Sequence, residues 1–142
     1  MNAPKTTDFG IALLRVALGS MFVAHGLLKF LVFTLPGTAG FFESVGLPGV
    51  LAYVVAPAEV LGGLALLVGF RTRIVAAALL PILLGAAAVH AGNGWVFSAP
   101  NGGWEYPAYL VVLALAQALL GSGALAIDNL RRNARVALAP AA

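Results

Sequence analysis

The sequence has no cysteine and little charge of either sign. Without a thiol, disulfide staples, thiolate metal sites, iron–sulfur ligation and thiol–disulfide exchange are all excluded within this chain. Charged residues make up 9% of the 142 residues and hydrophobic residues 61%, against about 25% and roughly 45–50% in soluble domains. A globule of this size has too much surface for its volume to hide that apolar excess. A lipid bilayer as solvent removes the difficulty. The net charge of +3 does not imply nucleic acid, because the basic residues are scattered over chain ends and short turns with no arginine stripe. The flavin and dinucleotide glycine motifs are missing as well.

What is present is a set of long apolar runs, which predicts an all-α integral membrane four-helix bundle in a single domain spanning 1–142. The runs lie at about 10–35, 50–69, 74–91 and 106–127. Each is close to the ~20 residues that cross ~30 Å of hydrocarbon as a helix. The first is too long for a signal-peptide core and carries Arg15, His25 and Lys29, so it reads as a retained helix. Gly46-Leu47-Pro48-Gly49 and Gly69-Phe70-Arg71-Thr72-Arg73 punctuate the chain, and Ala91 to Glu105 reads as a loop. A short interfacial helix fits Phe41 to Val45. No internal repeat stands out.

Basic residues set the expected orientation. Lys5, Arg71, Arg73, Arg131, Arg132 and Arg135 fall on one side of a four-span arrangement, and the loops on the other side hold no lysine or arginine. The positive-inside rule then places both termini in the cytoplasm, in a bacterial inner membrane. Trp95, Trp104, Tyr106 and Tyr53 gather near the opposite ends, at headgroup level. Small residues four apart, Ser20/Ala24, Ala58/Gly62, Ala65/Gly69 and Ala114/Ala118, are expected packing seams. Pro81 is expected to kink the third span.

Ionisable groups at membrane depth cost roughly 2.5–3.5 kcal/mol each on insertion scales, so they carry the most information. Arg15, His25 and Lys29 share one face of the first span with Phe22. Tyr106, Gln117 and Asp128 repeat every eleven residues, a second polar line. At ~1.5 Å per residue, His25, Glu59 and His90 lie ~22, ~18 and ~24 Å from the basic side, which predicts a cluster of His25, Lys29, Glu59 and His90. Glu59 and His25 are the candidates for proton transfer, with Gln117, Tyr106 and Glu105 as further ligand-binding candidates. Arg15 and Asp128 are expected to form a structural ion pair, with Arg131 also within reach of the aspartate. Each residue also has a plainer role available. Lys29 can snorkel to the headgroups, His90 can be a solvated helix end, and Gln117 can bridge two helices.

Several segments together carry a family resemblance. They are Arg15 to Gly19, Phe22-Val-Ala-His25-Gly26-Leu-Leu-Lys29-Phe30, Gly46-Leu47-Pro48, Ala58-Glu59-Val-Leu-Gly62-Gly63 and Gly69 to Arg73. His90, Glu105-Tyr106 and Gly121 to Asp128 continue them. The chain resembles DoxX-like membrane proteins over nearly its whole length, departing at Ala126, where that family often has serine. The resemblance implies a four-helix membrane subunit linked to a thiosulfate or quinol oxidoreductase, with Arg15, His25, Lys29, Glu59, Arg71, Arg73, Glu105 and Asp128 at its recurring polar positions. Quinone is the expected cofactor, with electrons supplied by a redox partner protein. A non-enzymatic binding or transport module for a lipid or anionic solute is the alternative, and homo-oligomers would suit it. Third comes haem held by His25 and His90, beside a zinc or iron site from His25, Glu59 and His90.

Overall fold

A computed structural model describes residues 5–130. Five helices run along the chain: α1 Thr6–Leu31, α2 Leu35–Ser44, α3 Ala52–Val68, α4 Thr72–His90 and α5 Glu105–Leu120. Short 3₁₀ turns, Gly49–Leu51 and Ala91–Asn93, precede α3 and follow α4. The protein is an all-helical membrane protein. Helix α1 by itself, and α3 and α4 with their 3₁₀ turns, are long and apolar enough to cross a bilayer, and α5 is a shorter apolar helix of 16 residues.

Two boundaries differ from the sequence expectation. The first apolar run is one stretch of composition but two helices. Pro36 inside a continued α1 would lack a donor and clash with the preceding turn. Instead α1 ends at Leu31, Thr34 turns the chain at φ 61°, and its Oγ1 accepts from the Gly37 amide to cap α2. The short helix expected over Phe41–Val45 is thus the end of a ten-residue one. The fourth run also breaks. Gly121 takes φ 89° and Gly123 φ 65°, so α5 stops at Leu120 and residues 121–126 fold back under the bundle. There Ala124 donates its amide to the Asp8 carbonyl, 2.8 Å away. A Cβ on Gly123 would sit 2.6 Å from that same oxygen, so the contact with α1 requires glycine.

Packing follows helical periodicity. Buried positions run Ala12, Arg15, Leu18, Phe22 and Gly26 on α1, and Ala52, Ala56, Glu59, Gly63 and Leu66 on α3. They continue as Thr72, Ala76, Leu79 and Leu83 on α4, and Pro107, Leu110, Ala114 and Gln117 on α5. These are stripes three and four apart. Helix α1 packs chiefly on α3, and α4 on α5. The α1–α3 seam is set by glycines one position away from the expected small pair. A Cβ on Gly63 would lie 2.7 Å from the Gly19 carbonyl oxygen, whereas Ser20 and Ala24 face outward. Gly62 fits its expectation better, lying against Leu79 of α4. Pro81 is inside α4, where it removes one backbone donor.

The bundle has a basic end, carrying Lys5, Arg71 and Arg73, and an aromatic end, carrying Trp95 and Trp104. Arg131, Arg132 and Arg135, expected at the basic end, lie outside the described residues.

Candidate functional site

Gly26 brings the site together. Between His25 and Lys29 on α1, it lets the helix backbone approach α3 so closely that a Cβ would stand 3.0 Å from the Ala56 carbonyl oxygen. One turn further, Lys29 Nζ reaches Glu59 Oε2 at 2.7 Å. The side chains are 18% and 7% exposed, and this is the ion pair among the described residues. Lys29 also donates, at 3.4 Å, to the His25 carbonyl. Breaking such a buried pair on one side leaves an uncompensated charge, worth about 3–5 kcal/mol.

His25 completes the group. Its Nδ1 lies 2.9 Å from the Met21 carbonyl oxygen, which fixes the donor at that nitrogen in the neutral ring. Nε2 is then left as an acceptor. The imidazole stacks on Tyr106 of α5, with centroids 6.2 Å apart and planes at 26°. Three helices therefore supply an ammonium, a carboxylate, an imidazole lone pair and a phenol in the aromatic half of the bundle. Such a set can bind an oxygen-bearing ring and exchange protons with it.

The other expected residues lie elsewhere. His90 turns into the loop, with Nδ1 at 3.0 Å from both the Asn101 and Gly102 carbonyl oxygens, which Asn93 Nδ2 also approaches. It makes these bonds instead of joining the cluster. No three His, Asp or Glu side chains among the described residues could hold a metal ion, so a His25–Glu59–His90 site is not formed. Gln117 is fully buried in the basic half, and its Nε2 donates to the Gly121 carbonyl at the end of its own helix, not across to another. Glu105 sits at the start of α5, where Oε2 accepts from the Phe97 amide at 3.3 Å.

Arg15 and Asp128 share the basic end but do not bond to each other. The Arg15 guanidinium, 2% exposed, donates to the Leu66 and Leu67 carbonyls at 2.8 and 2.7 Å and to that of Ala124 at 3.1 Å. A cation thereby meets the electron-rich C-terminus of α3. Asp128 caps α4 from 56 residues away. Its carboxylate accepts from the Arg71 and Thr72 amides at 2.8 and 3.1 Å and from Ser122 Oγ at 2.6 Å. Arg71, at φ 45°, stacks its guanidinium on Phe70, and Arg73 lies against Gly121.

One feature of the aromatic end was only half legible. Trp95, Phe97, Trp104, Tyr106 and Tyr109 surround a cavity of about 540 Å³. In the sequence the tryptophans read as an interfacial belt. The spacing of Glu105, Ala108/Tyr109 and Val112 along one face of α5 was the available signal for a cleft.

The DoxX family model matches residues 10–92, which include every residue of the Lys29–Glu59–His25 group. A protein of Bacillus subtilis (strain 168) named "Putative oxidoreductase CatD" is 38% identical over 125 residues, 87% of this chain and 88% of that one. An uncharacterized protein of Haemophilus influenzae is 34% identical over 131 residues, 90% of this chain and 95% of the other. No solved structure matches the chain.

Proposed function

The chain belongs to the DoxX family, and from that premise we propose that it is a four-span, single-domain subunit of a bacterial cytoplasmic membrane that binds quinone in its outer half and serves a membrane oxidoreductase system. Helix α5 is the fourth span; its 16 residues cover about 24 Å, and residues 121–126 close the bundle beneath it. The basic end faces the cytoplasm, since the loops at the aromatic end contain no lysine or arginine.

The observation that carries the quinone reading is the Lys29–Glu59 pair beside His25 stacked on Tyr106. Quinone carbonyl oxygens need donors, and its flat ring needs parallel faces and an apolar exit for the tail. Lys29 Nζ and the Tyr106 hydroxyl are donors, the His25 and Tyr106 rings supply faces, and the surrounding surface is lipid-exposed. Bound quinone would supply two-electron chemistry coupled to two protons. The chain's own part is to hold the ring with Lys29, to take or give a proton at His25 Nε2, and to keep Glu59 beside it as a second proton carrier. Electrons come from a partner protein, because the chain has no cysteine or nucleotide-binding motif to hold a redox centre of those kinds. The CatD relative, named as an oxidoreductase, supports this class. A site for anionic solutes at the same place is disfavoured, because Glu59 already neutralises Lys29.

The test is solvent extraction of purified protein and mass spectrometry of the lipophilic fraction, wild type beside Glu59→Gln. Near-stoichiometric quinone that is lost in the variant is expected. No enrichment, or equal amounts in both, would refute the assignment.

A further inference from the structure

We infer that the aromatic cleft at the outer end of α5 is a second site, which seats a lipid with an ammonium headgroup. Tyr106 forms a wall of this cleft as well as of the quinone site, but the second site rests on Glu105 and the two indoles and not on the quinone reading. The cleft's volume of about 540 Å³ is that of a small-molecule pocket. Its composition changes along its length. At the loop end stand the indoles of Trp95 and Trp104, packed edge to face at 4.4 Å, with the Glu105 carboxylate beside them. Down the flank of α5 the lining becomes Ala108, Tyr109 and Val112, and the last two are 62% and 60% exposed to the membrane side. A charged recess that opens into an apolar groove is the shape of an amphiphile lying along the helix.

Charge selects the headgroup. Glu105 has no cationic partner among the described residues; its hydrogen bond comes from the Phe97 amide. The backbone holds it there, since the Glu105 amide donates to the Trp95 carbonyl at 3.0 Å and that of Trp104 to Gly94 at 3.1 Å. The two loops at this end carry no lysine or arginine, and Lys29 is engaged by Glu59. An anionic headgroup would meet an unscreened carboxylate, and a purely apolar chain would desolvate that carboxylate with nothing in exchange. An ammonium gains both the carboxylate and the faces of the aromatic rings, among which indole binds cations best. The positive end of the α5 dipole, which would favour an anion, is already met by Glu105 in the first turn.

The protein contains two tryptophans, and both line this cleft, so intrinsic indole fluorescence reports on the site without labelling. Full-length protein in a neutral maltoside detergent is titrated with dodecyltrimethylammonium, dodecanol and tetramethylammonium. The cationic amphiphile is expected to give a saturable change at a midpoint well below those of the other two. Glu105→Gln should weaken it about fivefold. Glu43→Gln, which removes an acidic group from the same end but outside the cleft, should leave it unchanged. Dodecanol acting as well as the cation would overturn the headgroup assignment. Tetramethylammonium acting as well would overturn the lipid. Equal losses in Glu105→Gln and Glu43→Gln would reduce the effect to general surface charge and overturn the site.

Discussion

Replacing Arg15 by methionine tests how the basic end is held together. Methionine keeps most of the side chain's apolar volume, so the change removes hydrogen bonds without opening a large cavity. Four carbonyls lose a charged donor, that of Leu125 only a long one at 3.5 Å, and not equally. The Leu66 oxygen still accepts from the Gly69 amide at 2.9 Å. The Leu67 and Ala124 oxygens have no other donor among the described residues, and the Arg71 amide, which would have continued the helical pattern to Leu67, is committed to Asp128. Leaving a buried acceptor unsatisfied costs about 1–3 kcal/mol, so two give roughly 4 kcal/mol. For a chain of this size that is a fall in Tm of about 12 °C, at about 3 °C per kcal/mol. Thermal denaturation in detergent, followed by size-exclusion recovery, measures it.

Two companion variants separate this reasoning from its rival. A direct Arg15–Asp128 ion pair would make Asp128→Asn as harmful as Arg15→Met. The hydrogen bonds observed predict instead that Asp128→Asn costs about 1 kcal/mol or less, because asparagine is itself a good helix N-cap. Arg15→Lys should recover less than half the loss, since a compact ammonium cannot span the α3 carbonyls and that of Ala124 as a planar fork does. A Tm within 2 °C of wild type for Arg15→Met, or equal losses in Arg15→Met and Asp128→Asn, would refute the argument.

Gly63→Val should destabilise by about 2–3 kcal/mol or more by forcing α1 from α3, whereas Gly85→Ala, with open space around it, should be neutral or stabilising; denaturation in detergent compares them. Lys29→Met should lower stability by about 3–5 kcal/mol through the unpaired Glu59, and Lys29→Met with Glu59→Leu should restore most of it while ligand content stays lost. Because the chain has no cysteine, Ser98→Cys and Thr7→Cys can be labelled singly in intact cells. A membrane-impermeant maleimide should reach Ser98→Cys alone, and the reverse pattern would invert the proposed topology.

Hydropathy made the helices legible, and the polar face that Lys29 shares with His25 put it in one cluster with Glu59; counting ~1.5 Å per residue sets Lys29 higher than Glu59, and the long lysine side chain closes that gap. The failures have a common cause. Hydropathy runs on through residues 106–127, so it passes over Gly121-Ser122-Gly123, the local signal that stops the helix at Leu120. The demand behind it is made on the backbone, since Gly121 and Gly123 take positive φ and α1 comes close enough to Gly123 to exclude a Cβ. Asp128 was assigned to Arg15 by charge, yet the stronger demand on it came from the start of α4, where Arg71 in a left-handed conformation offers no cap of its own. His90 is expected in the outer cluster, but the carbonyls of residues 101 and 102 offer it partners that no helical wheel displays.

The two ends of the bundle therefore solve the problem of buried polarity differently. At the basic end, buried charge is spent on main-chain groups. Arg15 closes the C-terminus of α3 and Asp128 opens α4, so the turn between them is fixed from both sides. At the aromatic end, His90, Asn93 and Glu105 bond main-chain groups of the loop, but the polar group on α1 and α3 does not cap a helix. Lys29 and Glu59 pair with no main-chain amide bound to the carboxylate, His25 keeps a nitrogen unused, and Glu105 faces a cleft. A structural role accounts for Arg15 and Asp128 in the first arrangement, because each bonds main-chain groups at a helix end, while Arg15 Nε, Thr72 Oγ1 and Gln117 Oε1 are buried there without a hydrogen-bond partner among the described residues. It does not account for the second. An apolar residue at His25 would leave no helix uncapped, and replacing Lys29 and Glu59 together would leave none either. What these residues retain is the capacity to bind, which is why the functional proposals concentrate at this end.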